Sequence, residues 1–158
     1  MAALAEVYQM AGHADRAGAQ KTLIQAVDRI YRANGVNTDL QIALFYADHD
    51  LNLGEALTMA RGAYEAAPGV YAADALAWVL LKNGRIAEAQ TLSAEALRYG
   101  TPEAAFHYHA ALIGLAAGDR SGAARQVDAA LRINPHFSVL HAGEAKALQV
   151  ELKGSAGR

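Results

Sequence analysis

The chain has 158 residues, 53% of them hydrophobic, yet thirty-eight are alanine, three are proline and none is cysteine. Its formal net charge of −2, with no cluster of lysine and arginine, counts against nucleic-acid binding, which needs a gathered basic surface. Lack of cysteine removes disulfides and thiolate metal sites, and no apolar run approaches the roughly 18 residues that cross a bilayer, so membrane insertion is not expected.

Alanine is the strongest helix former and its small side chain lets helices approach closely, so the composition reads all-α. The opening segment, AALAEVYQMAG, lacks a basic start followed by an apolar core, so a signal peptide is not expected there. The compartment is not fixed by these features, since both cytosolic and exported proteins can lack cysteine, and a cytoplasmic setting is favoured only by the opening segment. Helices are expected near 2–11 and 14–34, the second carrying an apolar stripe of Leu23, Val27, Ile30 and Tyr31 and stopping at Asn34-Gly35. The next pair spans about 38–49 and 53–67, with Thr38/Gln41 and Asn52/Glu55 at or near capping-box spacing. A third pair covers 70–83 and 86–99 around Gly84, a residue suited to a left-handed helix end. A fourth covers 102–117 and 120–133. Gly118 ends its first helix, Asp119 caps the second, and Asn134-Pro135 stops it. Ser138 then caps a last helix, 139–153, and the tail GSAGR is expected to fray.

A period runs through these pairs. Gly84 and Gly118 are 34 apart; Ala56, Ala89 and Ala123 recur at 33 and 34, as do Ala63, Ala96 and Ala130. Pro68, Pro102 and Pro135, the only prolines, are spaced by 34 and 33. Recurrence at this period marks a helical-repeat architecture in which neighbouring hairpins bury a continuous core. The units fall at 1–36, 37–69, 70–103 and 104–137, with a cap helix at 138–153, in one domain of 1–158.

With a glycine between paired helices, two alanines seven apart on the second helix and a proline closing the unit, residues 70–137 resemble the tetratricopeptide repeat. The likeness extends to 37–69, where Leu51 stands in the place of the glycine. It reaches more weakly to Leu4, Ala5, Tyr8, Gly12 and Ala17, and the step from that first unit is about five residues longer than the family norm. The resemblance implies an all-α right-handed superhelix, a solenoid of about four hairpins plus a C-terminal capping helix. It also implies that the first helix of each hairpin lines a concave groove for a peptide or partner protein, without a cofactor. Thr38, Gln41, Phe45, Asp48 and His49 would face inward from the second unit. Tyr71, Asp74, Trp78 and Lys82 would do so from the third, and Ala105, Tyr108 and Leu112 from the fourth. Phe45, Trp78 and Leu112 would form an accessible apolar row, the alternative being that Phe45 and Trp78 pack between adjacent hairpins. Family members that bind acidic chaperone tails carry lysine, asparagine and arginine on this face, whereas Asp, His and Tyr prevail here.

Chemistry beyond binding finds no support in the pattern. His107 and His109 are two apart, which on a helix separates them by about 200°. His49 lies between Asp48 and Asp50, His136 and His141 flank the last helix, and His13 sits in a turn. No HExxH, phosphate loop or GxSxG occurs, so neither metal nor catalysis is expected. The readings carried forward are a protein-binding module, a self-assembling scaffold associating through its N-terminal edge, and a regulator sensing a metal or small ligand.

Overall fold

The computed structural model describes residues 2–34 and 37–155. Among them are nine helices and no strand: α1 (Ala2–Met10), α2 (Ala14–Ala33), α3 (Asp39–Asp48), α4 (Leu53–Ala66), α5 (Val70–Lys82), α6 (Ile86–Leu97), α7 (Ala104–Ala116), α8 (Arg120–Ile133) and α9 (His141–Ser155). The expected Asn34-Gly35 stop is seen only as far as Asn34, and the tail beyond Ser155 lies outside the described residues.

The chain divides into two compact units, Met1–Thr38 and Asp39–Arg158, parting at the long step between the first and second hairpins. In the first unit α1 and α2 pack on each other, and Ala5, Ala17 and Ile24 are buried. In the second unit each helix packs on its neighbours in sequence, and α5 also packs on α3 and α7. Its placement explains its composition. Every residue from Ala72 to Leu80 is buried, as a helix with partners all round requires. Of the repeated alanines, Ala56, Ala89, Ala96, Ala123 and Ala130 are buried, as their spacing predicts, while Ala63 is half-buried. Ala73, Ala96 and Phe106 join α5, α6 and α7 in one apolar cluster.

One backbone device ends the first helix of every pair. The amide of His13 donates to the Tyr8 carbonyl at 2.9 Å, Leu51 to Tyr46 at 2.8 Å, Arg85 to Leu80 at 2.9 Å and Asp119 to Gly114 at 2.8 Å. Each bond closes a six-residue Schellman-type loop around a left-handed residue. Those residues are Gly12 (φ 75°), Asp50 (φ 51°), Gly84 (φ 72°) and Gly118 (φ 85°). So the residue in the glycine's place is Asp50, not Leu51. The α3–α4 turn also has four residues where the other three have three. Asn52, at φ 42°, absorbs the extra one and makes no side-chain cap, contrary to the capping-box expectation. The Thr38 hydroxyl donates to Asp28. Asp119 and Ser138 do cap, accepting from Gly122 N at 2.8 Å and His141 N at 3.1 Å.

Candidate binding groove

The extra turn residue changes the register on which the groove was expected. Matching the turn bonds sets α3 and α5 34 residues apart, since Tyr46 answers to Leu80 and Leu51 to Arg85. Alanines after the turn, Ala56 and Ala89, are 33 apart because of the insertion. Leu44, not Phe45, is therefore the counterpart of Trp78 and Leu112. A one-residue error turns a helix face by about 100°. Phe45 instead matches Val79 and Ile113, and all three are buried core residues.

An accessible row of Phe45, Trp78 and Leu112 does not exist. Trp78 is 1% exposed, and Phe45 and Tyr108 are buried with it. Leu112 is half-buried, and none of these four borders the cavity found on this face. That cavity, about 360 Å3, lies among α3, α5 and α7 and is bounded by the turn ahead of α9. Leu40, Gln41, Leu44 and Asp48 line it from α3, Tyr71 and Asp74 from α5, and Ala105, Phe106 and His109 from α7. Glu103, Phe137, Ser138 and His141 complete the wall. Of the residues expected to face inward, Gln41, Asp48, Tyr71, Asp74 and Ala105 thus meet in one place. Tyr71 is 59% exposed, its ring edge-on to Phe106 at 5.1 Å. His49 stands apart, its ring 4.6 Å from that of Phe45. Lys82 reaches back, with Nζ 4.9 Å from the Trp78 ring centre and 2.9 Å from Asp50.

Beneath the cavity lies a connected polar network. Trp78 Nε1 donates to Asp48 Oδ1 at 2.9 Å, and the indole stacks on His109 at 4.3 Å with planes 13° apart. His109 Nδ1 lies 2.9 Å from Asp74 Oδ2, both residues buried, so this nitrogen carries the proton and donates. His141 bridges two carboxylates: Nε2 to Asp48 Oδ1 at 3.3 Å, Nδ1 to Glu144 Oε2 at 2.8 Å. Only the doubly protonated ring donates to both. Tyr108 donates to the same Glu144 oxygen at 2.8 Å and stacks on His141 at 5.2 Å.

The electrostatics follow from this wiring. Burial opposes the charged His141 ring, but hydrogen bonds to Asp48 and Glu144, and their charges, raise its pKa. Burial likewise opposes ionised Asp48. Hydrogen bonding from His141, the nearby His109 and His141, and the Trp78 N–H outweigh it and hold Asp48 below its ordinary value. Glu144 is lowered too, burial being overcome by His141 and Tyr108. Desolvation and the neighbouring Glu144 push the Tyr108 hydroxyl far upward, keeping it a neutral donor.

Sequence reasoning missed His109, His141, Glu103, Phe106 and Phe137. His109 was readable in principle, because the 34-residue register aligns it with Gln41 and Ala75. His141 was not, since its bond to Asp48 spans 93 residues and no period relates them. Among the described residues no group of three or more His, Asp or Glu side chains is placed to hold a metal ion, and no helix is long and apolar enough to cross a membrane. A scan against protein-family models, a search of curated proteins and a search of solved structures each found no match.

Proposed function

We propose that this chain is a helical-repeat protein of the tetratricopeptide type. On this reading it is a non-catalytic interaction module whose concave face holds a peptide or partner protein. The observation that carries it is the cavity among α3, α5 and α7, the first helices of three successive hairpins, with exposed Tyr71 at its edge. The recurring Schellman turns and the buried alanines support the repeat assignment. Exposed aromatics give contact area at low entropy cost, which suits recognition.

Site-specific photocrosslinking tests it. A benzoylphenylalanine in place of Tyr71 should capture a defined partner from the host, while one in place of Thr91, exposed on α6, should not. Equal capture at both positions, or none at Tyr71, would remove the groove from consideration. A second reading, self-association through the first hairpin, is favoured by a separate observation. Leu4, Val7 and Met10 on α1, and Leu23, Ile30 and Tyr31 on α2, are all exposed.

A further inference from the structure

The cavity is unbalanced in charge. Three carboxylates, Asp48, Asp74 and Glu103, line it against two imidazoles, His109 and His141, and no lysine or arginine reaches its wall. The carboxylates are not equally occupied. Asp48 accepts from Trp78 and His141. Asp74, only 4% exposed, receives one hydrogen bond, from His109 to Oδ2. Glu103 precedes α7, makes no cap, and its carboxylate has no hydrogen bond or ion pair among the described residues. A desolvated carboxylate with acceptor sites to spare gains most from a charged donor. Around these groups stand three aromatic rings, Tyr71, Phe106 and Phe137.

Resting on the groove reading above, we infer that the cavity takes the side chain of a lysine or arginine from a partner peptide, its charge facing Asp74 and Glu103 and its stem lying against Tyr71, Phe106 and Phe137. Charge complementarity selects the occupant. An acidic side chain would meet three carboxylates, and a purely apolar one would cover Glu103 with no donor and Asp74 with only the one from His109. Both basic side chains pair an apolar stem with a cationic head, and aromatic faces attract that head as well. The volume is at the low end of the roughly 300–1,000 Å3 of ligand cavities, which suits one long side chain rather than a whole helix.

The test uses acetylated, amidated pentapeptides Ala-Ala-X-Ala-Ala, with X as arginine, lysine, norleucine or glutamate, titrated into the full chain and followed by 1H–15N NMR. Trp78 is the only tryptophan, and its indole N–H, bonded to cavity-lining Asp48, is a single resolved reporter. Arginine or lysine peptides should shift this signal and the Glu103 amide about tenfold more tightly than norleucine, with glutamate weakest. Glu103→Gln should weaken the basic peptides by about threefold to tenfold. Because Glu103 makes no cap, circular dichroism should show the fold intact. Norleucine or glutamate binding as tightly as arginine would overturn the charge preference yet leave a peptide groove standing. Butylguanidine binding as tightly as the arginine peptide would replace a peptide ligand by a small free cation. Shifts from no peptide would sink the inference, and the Tyr71 crosslink would then judge the groove separately.

Discussion

His141 and Asp48, 93 residues apart in sequence, meet at 3.3 Å and tie the start of α9 to the end of α3. Their bond makes stability depend on pH from both sides. His141 has a raised folded pKa, so its contribution is complete below the unfolded value near 6.5 and is lost as pH rises through the folded one. Asp48 and Glu144 have lowered pKa values. Their contribution is complete above the unfolded values of 3.8 and 4.5, and is lost as pH falls through the folded ones. Glu88, Asp119 and Asp128 are lowered too, but they are well exposed and screened. Melting temperature should therefore peak between about pH 4.5 and 6.5. In His141→Gln the decline above pH 6.5 should flatten. An unchanged alkaline slope in that variant would show that the bridge does not set it.

Trp78 is a packing and hydrogen-bonding residue, and its substitution should register in folding. Trp78→Ala should cost about 3–5 kcal/mol by opening a large cavity next to His109. Trp78→Phe keeps most of the volume but removes the donor to Asp48, and should cost about 1–3 kcal/mol. Urea unfolding followed by circular dichroism measures both, since the substitutions remove the chain's one tryptophan signal. Loss of less than about 1 kcal/mol in the alanine variant would contradict the burial seen here.

The four Schellman turns allow an opposed pair of substitutions. Gly84→Ala places a methyl where there is open space, but at φ 72° the L-residue is strained and should lose about 1–2 kcal/mol. Asp50→Gly relieves the same strain at φ 51°, while giving up an ion pair to Lys82 and adding freedom to the unfolded chain. Those effects nearly cancel, so Asp50→Gly should change stability by no more than about 0.5 kcal/mol. Chemical denaturation of the two variants side by side checks the contrast. Equal losses would mean that Asp50 does more than occupy a left-handed position.

The helices were legible because alanine, glycine and proline recur at positions that local backbone chemistry uses. Gly84 and Gly118 end helices, Asp119 and Ser138 begin them, and the α5 and α8 boundaries agree with expectation to within a residue. The groove was less legible for two physical reasons. An extra residue in the α3–α4 turn leaves the alanines after it 33 apart but the helix before it 34 apart, so Phe45 was read on the wrong face. Trp78 and Tyr108 also have polar tips that reach buried carboxylates, and period alone does not tell such a side chain from an exposed one. The contacts of His141 with Asp48 and Glu144 depend on where α9 docks, which no repeat encodes.

The first hairpin carries the last expectation. Leu4, Val7 and Met10 recur at three-residue steps along α1, and Met10 is 64% exposed. On α2, Leu23, Ile30 and Tyr31 are exposed as well, with Ile30 at 60%. Large apolar side chains gathered on one hairpin mark an association surface, and a second copy of the chain would offer the same side chains in return. Sedimentation equilibrium should show reversible self-association that strengthens with concentration, through an interface of about 1,000 Å2 or more if it is specific. Met10→Glu with Ile30→Glu should leave the melting temperature nearly unchanged, because exposed substitutions usually alter stability by no more than about 0.5 kcal/mol. Burying two added carboxylates should weaken the dimer at least tenfold, about 1.4 kcal/mol. A chain that stays monomeric at millimolar concentration, or a double variant that associates as the parent does, would exclude this hairpin as a self-association surface.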